Sequence, residues 1–281
     1  ILGAAVGTIN VFVGTILASL LPKGSVSYLY YADRIMELPL GVFAIAIGTA
    51  SLPSLSAHAS AGNMDNLKST MSFSLRLMLF VTIPAMVALM ALNMPIISVL
   101  FQRRAFDVHA ATLTAQALFC YALGLWAFSV LRVITAAFYS LQDAKWPMKA
   151  AVITLLVNLG ASVALMYPLK HNGLALANSL AAIVNVLVLS IVLKKKIGAF
   201  LDRQFYLSVG KIIISSLAMW GAIMLVDFVL PWSSNGQFRA RLAYLVVAVI
   251  TGAMTYFICA YLFKSPEIHS IIGQVKKRLK R

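Results

Sequence analysis

Two places in the sequence put charge where an apolar helix should carry none. The first is the block Tyr30-Tyr31-Ala32-Asp33-Arg34-Ile35-Met36-Glu37-Leu38-Pro39. Arg34 and Glu37 are three apart and Asp33 and Glu37 four apart, so on a helix they gather along one side. The second is Arg132, the only charged residue between Ala117 and Tyr139. Guanidinium groups grip phosphate oxygens in a forked, charge-assisted geometry. The chemistry these residues suggest is recognition of an anion, on a helix side that should face a partner helix or a water-filled cavity. Arg132 has Phe128, Ser129, Thr135 and Ala136 at i±3 and i±4, so its own helix offers no carboxylate. Two plainer readings stay open. Arg34, Asp33 and Glu37 could form a self-neutralised clamp, and Arg132 could snorkel toward headgroups.

Other chemistries find less support. The eight acidic residues are dispersed apart from Asp33 and Glu37, whereas an enzyme acting on polyprenyl phosphates needs clustered carboxylates for a metal, or a placed nucleophile and base. His58, His109, His171 and His269 lack metal-ligand spacing. Cys120 and Cys259 lie in apolar runs, where thiols act as small hydrophobes. No phosphate-binding Walker motif is present. Neither a metal nor a cofactor is expected, and no catalytic residue.

The elements that must position these charges follow from composition. The 281 residues are 61% hydrophobic and 11% charged, against about 45–50% and about 25% in ordinary soluble domains. So apolar a chain needs lipid to cover its surface. Eight runs are long enough to cross about 30 Å of hydrocarbon as helices: 1–21, 28–57, 71–93, 110–139, 147–168, 172–193, 206–230 and 240–263. Alternating short segments, the mark of a membrane β-barrel, are absent. The fold expected is all-α, a polytopic membrane helix bundle of about eight transmembrane helices. The first residue, Ile1, is followed at once by an apolar run with no basic n-region or cleavage site, so a start inside a larger protein is expected.

The connections are short and polar, leaving no room for a soluble domain. Assigned alternately to the two ends, one end collects fifteen basic residues, including Lys68, Arg76, Lys145, Lys149, Lys194, Lys195, Lys196 and Arg203. The other collects six: Lys23, Arg103, Arg104, Lys170, Arg239 and Arg241. The richer end is expected to be cytoplasmic, and with it the C-terminus. That puts Arg34 toward the outer side of its helix and Arg132 about two turns from the cytoplasmic end of its own. The same distribution accounts for the net charge of +15 without a nucleic-acid partner. Beyond Ser265, apolar residues at helical spacing among Lys276, Lys277, Arg278, Lys280 and Arg281 suit a helix on an anionic leaflet, or simply a basic tail.

Further polar residues within the spans read as weaker signals. Asn10, Asn158, Asn178 and Asn185 suit helix–helix contacts more than ligand binding. Asp227 falls at an interfacial position before Pro231-Trp232. Pro84 and Pro95 would kink or bound the third span. Gly41, Ala44 and Gly48 would let helices approach closely.

Several of these residues carry a family resemblance. Gly24-Ser25-Val26-Ser27, then Tyr30-Tyr31-Ala32-Asp33-Arg34 with Glu37-Leu38-Pro39, then Leu52-Pro53-Ser54-Leu55-Ser56, Ala137-Phe138-Tyr139-Ser140, and Gln142-Asp143 with Lys145 and Pro147 resemble the MurJ (MviN) family of the multidrug/oligosaccharidyl-lipid/polysaccharide exporter superfamily. The resemblance covers essentially the whole chain, as helices seven to fourteen of a fourteen-helix, two-lobed flippase of lipid II. It implies that Arg34 and Arg132 are substrate-binding positions of a central cationic cavity, with Asp33 and Glu37 as its acidic positions. It also implies a division into 1–193, the C-terminal lobe of the core; 194–263, two more helices forming a groove for the lipid tail; and 264–281, a basic cytoplasmic tail. The implied partners are lipid II, membrane lipids and an N-terminal lobe of the same protein, in the bacterial inner membrane. A sodium site described for some members does not map convincingly onto these residues, and the coupling ion stays open.

The physical argument agrees. A diphosphate–sugar–peptide headgroup cannot cross hydrocarbon unaided, because burying an unpaired charge is prohibitive. Another polyprenyl-linked oligosaccharide exporter of the superfamily is the alternative. A drug exporter should prefer acidic cavity residues, and a non-transporting scaffold leaves Arg132 unexplained.

Overall fold

A computed structural model describes residues 2–233 and 236–268, and these are helical almost throughout. Eleven helices follow one another among the described residues: α1 Leu2–Ser19, α2 Ser25–Pro39, α3 Ile45–Ser60, α4 Met64–Ala91, α5 Asn93–Phe101, α6 Val108–Ala122, α7 Leu125–Ser140, α8 Lys145–Leu169, α9 His171–Ile197, α10 Arg203–Val229 and α11 Phe238–Leu262. Side-chain oxygens fix several of the starts. Asn63 accepts from the Asn66 amide at 3.1 Å, Asp107 from Ala110 at 2.8 Å, and Asp202 from Phe205 at 2.9 Å. Each satisfies a backbone donor left orphaned at a helix N-terminus.

Seven helical segments are long and apolar enough to cross a membrane among the described residues. The eighth expected span, 1–21, corresponds to α1, whose eighteen residues rise about 27 Å. The second span is one continuous rod from Ser25 to Ser60, longer than the expected 28–57. Its middle, Leu40–Ala44, is a π-turn directly after Pro39. Proline has no amide hydrogen and its ring crowds the preceding turn, so the ladder shifts there to i→i−5, with the Ile45 amide bonding the Leu40 carbonyl. The fourth span is likewise split, into α6 and α7 at Leu123–Gly124. Pro84 lies inside α4 without ending it, and Pro95 sits in the first turn of α5.

Small residues set two close approaches. A Cβ on Gly124 would stand 2.7 Å from Ser179 Oγ and 2.8 Å from its Cα; on Gly173 it would stand 2.2 Å from the Leu165 carbonyl oxygen. The second contact closes the α8–α9 hairpin. Of the small residues expected to ease packing, Ala44 and Gly48 are buried, while Gly41 meets nothing within 4 Å.

Buried side chains form two apolar clusters. One joins α4, α7, α9, α10 and α11 around Phe80, Phe138, Met78 and Leu189. The other joins α2, α5 and α6 around Ala32, Ile35, Leu118 and Ile97. Polar contacts link loops assigned to the same end of the bundle. Lys196 pairs with Asp143, Ser72 donates to Asp202 at 3.0 Å, and Arg76 approaches Glu267 at 3.8 Å. The expected tail helix, 264–281, falls largely outside the described residues, as does His269.

Candidate functional site

The charged block sits on the first half of the long Ser25–Ser60 rod, before its π-turn. Arg34 Nη1 donates to Glu37 Oε2 at 2.6 Å, and both side chains are about half exposed, at 52% and 50%. The guanidinium also lies over the Tyr30 ring, 4.9 Å from its centroid, a favourable cation–π placement. Both members of the ion pair belong to α2. An intrahelical pair ties no two helices together, so it does not act as the bundle clamp that the sequence left open. It holds the guanidinium extended instead, with its remaining N–H groups unengaged among the described residues.

Beside the pair is a hollow of about 250 Å³ between α1, α2, α8 and α9, into which Asp33 and Arg34 face. Its other walls are mixed: Asn10, Thr15, Asn158 and Asn178 line them together with Val11, Ala18 and Leu174. Asn158 Nδ2 donates to Asn178 Oδ1 at 3.2 Å, and Ser162 Oγ donates to Asn158 Oδ1 at 3.1 Å. These amides therefore join α8 to α9, as glue, and also floor the cavity, a double role their spacing did not reveal. Asp33 makes no hydrogen bond among the described residues. An ionisable group within a span is costly unless it faces protein or water, and this hollow is the space it faces.

Arg132 lies elsewhere, on α7. It is exposed and has no ion pair or hydrogen bond among the described residues. It packs over Gly48 of α3, where an added Cβ would lie 3.2 Å from Arg132 Cβ. Gly48 is fourteen residues from Arg34 on the same rod, about 21 Å along the axis. The structure thus brings Asp33, Arg34 and Glu37 together and sets Arg132 at a second depth, outside the 250 Å³ hollow. Both arginines belong to exposed strips of the α2–α3 and α7 surfaces.

One buried charge centre has no clear trace in sequence spacing. Glu267 is 1% exposed; Ser208 and Ser265 hydroxyls each donate to it at 2.6 Å, and Arg76 Nε is 3.8 Å away. Arg76 and Glu267 are 191 positions apart, so no local pattern couples them. Asp227, expected at an interface, accepts from Tyr244 Oη at 2.9 Å and from the Trp232 amide at 3.2 Å.

The profile of the family described as lipid II flippase MurJ matches residues 1–255. A probable lipid II flippase MurJ of Buchnera aphidicola from Acyrthosiphon pisum is 33% identical over 256 residues, covering 91% of this chain and 50% of that protein. Its counterpart in Vibrio cholerae is 32% identical over 261 residues, covering 92% and 49%. The chain spans about half the length of the curated relatives it matches. Among solved structures, a lipid II flippase MurJ in an inward closed conformation superposes with a TM-score of 0.80 at 29% identity, over 95% of this chain and 53% of that one. An outward-facing multidrug-resistance MATE transporter gives 0.60 at 16% identity, over 96% and 64%, a likeness of fold alone.

Proposed function

The chain belongs to the MurJ family of lipid II flippases, and from that premise we propose that the complete transporter containing it carries lipid II from the inner to the outer leaflet of a bacterial inner membrane by alternating access. The chain is a multi-pass membrane protein. In this reading residues 1–193 form one wall of a central cavity, the other wall comes from an N-terminal lobe, and α10–α11 hold the lipid tail. The end bearing Lys196 and Arg203 faces the cytoplasm.

The observation that carries the reading is Arg34: a half-exposed guanidinium, held by Glu37 beside a hollow that Asp33, Asn10, Asn158 and Asn178 also line, within a membrane-spanning rod. A diphosphate stripped of water needs such donors to replace part of its solvation. Glu37 occupies the Nη1 edge of the guanidinium until a diphosphate competes for it, and Asp33 raises the negative charge behind it, favouring release once the cavity has turned outward. Arg132, unpaired and exposed, offers a second cationic contact at another depth. Two negative charges moving outward across a potential negative inside gain about 4.6 kcal/mol per 100 mV, at about 2.3 per charge, so transport without nucleotide hydrolysis is energetically open.

The test is Arg34→Ala in the complete transporter, with Arg34→Lys as a charge-retaining control, assayed by lipid II reaching the outer leaflet. The reading expects Ala to abolish transport at normal expression and Lys to retain part of it. Undiminished transport by Arg34→Ala overturns it.

A further inference from the structure

A second hollow, of about 660 Å³, lies at the end of the bundle that carries the basic-rich loops, between the C-terminal turns of α3 and α7. Ser56 and Ser60 line one wall, and Tyr139, Ser140 and Gln142 the other; among the described residues no charged side chain lines it. Two helix C-termini converge there, and their terminal carbonyls carry partial negative charge. The site is therefore poor for an anion and good for hydroxyl or amide donors.

Its own hydroxyls strengthen that bias. Ser60 Oγ already donates to the Ser56 and Ala57 carbonyls, at 2.9 and 3.1 Å, and Ser140 Oγ donates to Ala137 at 2.8 Å. Their lone pairs remain as acceptors toward the hollow. Tyr139 is 52% exposed. Among the described residues, neither its hydroxyl nor the side-chain carboxamide of Gln142 makes a hydrogen bond. An open aromatic face ringed by neutral acceptors and one amide suits a sugar, whose C–H face stacks on the ring while its hydroxyls donate outward.

Position links this hollow to the arginine. Tyr139 follows Arg132 by seven residues on α7, which is two turns, about 10 Å, on the same side of the helix. On α3, Gly48 contacts Arg132 and Ser56 lies eight residues further toward the hollow. The α3–α7 seam thus runs from a cation to a neutral, acceptor-rich mouth.

We propose that this mouth receives the neutral sugar portion of the substrate headgroup while Arg132, two turns deeper, meets the diphosphate. The proposal rests on the flippase reading and adds to it a sugar subsite at Tyr139 and Gln142. An interfacial tyrosine that merely anchors the helix in headgroups would not discriminate between glycosylated and bare ligands, which is what the test measures.

The complete transporter in nanodiscs is titrated with two water-soluble probes: a short-chain isoprenyl diphosphate, and the same diphosphate carrying a disaccharide without peptide. The wild type should bind the glycosylated probe about tenfold more tightly, the equivalent of one or two neutral hydrogen bonds with ring contact. Tyr139→Ala should erase that difference and leave the bare probe's affinity unchanged. Gln142→Gly, which suits the left-handed φ of 55° at that position, should narrow it without strain. Equal wild-type affinities for the two probes overturn the sugar site alone, as does a Tyr139→Ala variant that weakens both probes alike. Discrimination that appears only when the disaccharide also carries a peptide overturns it too. Failure of the wild type to bind the bare diphosphate overturns the flippase reading and this proposal with it.

Discussion

Replacing Arg76 by methionine strands a buried carboxylate. Glu267 is 1% exposed and the Arg76 side chain 10% exposed, so water screens neither charge as it does at a surface. Two serine hydroxyls at 2.6 Å already satisfy the carboxylate's strongest acceptor positions, but neither neutralises it. Breaking a buried pair by removing one partner typically costs about 3–5 kcal/mol, because the remaining charge is uncompensated. The 3.8 Å separation and the unpartnered Arg76 Nε and Nη1 place this pair at the lower end, about 3 kcal/mol. The double variant Arg76→Met/Glu267→Gln removes both charges and leaves an amide between two serines, so it should cost less than Arg76→Met alone. Thermal inactivation of the purified complete transporter, measured for both singles and the double, gives the coupling directly. A double variant as unstable as the sum of the singles, or an Arg76→Met variant within about 0.5 kcal/mol of wild type, would refute the pairing argument. Because Glu267 follows α11 while Arg76 lies on α4, the same cycle measures how firmly the chain beyond the last span is fastened to the bundle.

Gly173→Ala should destabilise strongly, since its Cβ would fall 2.2 Å from a backbone oxygen that cannot step aside, whereas Gly160→Ala meets nothing within 4 Å and should be neutral or stabilising by up to about 1 kcal/mol through helix propensity; thermal midpoints of the two variants compare them directly. At the basic-rich end, the Lys196 ammonium bonded to Asp143 holds its carboxyl below the usual carboxylate range, against the opposing effect of burial. A depressed folded value means the pair's stabilisation is fully present above the ordinary carboxylate pKa of about 3.9 and is lost as pH falls through the lowered value. Asp143→Asn should therefore lower the thermal midpoint modestly at pH 7 and flatten its decline below about pH 4. An unchanged acid limb in the variant would count against that pair.

Much of the bundle was legible because hydrocarbon enforces it. Runs such as His171–Ile197 and Phe238–Leu262 announce themselves by length and apolarity alone, and Arg34, Asp33 and Glu37 stood out because an apolar span has no other use for them. The breaks were not legible. Pro39 signals a disturbance, but whether the ladder kinks or widens into a π-turn depends on how Ala44 and Gly48 pack against neighbouring helices. The split at Gly124 required Ser179, 55 residues away, to press against it. Pairings across the fold, such as Arg76 with Glu267, carry no periodic signature because their geometry is set only once α4, α10 and the segment after α11 pack together. Asn158 and Asn178 were visible as polar residues in spans, yet their place in the walls of the hollow that Asp33 faces came from the α8–α9 hairpin that Gly173 closes.

The account stands on Arg34 facing a hydrated hollow open to a diphosphate within the membrane. Cysteine at position 34, in a complete transporter whose Cys120 and Cys259 are replaced by serine or alanine, reports this directly through its reaction with a charged, membrane-impermeant thiosulfonate. The account predicts rapid labelling of Arg34→Cys by the charged reagent. Labelling by an apolar maleimide but not by the charged reagent would put position 34 in lipid and contradict it.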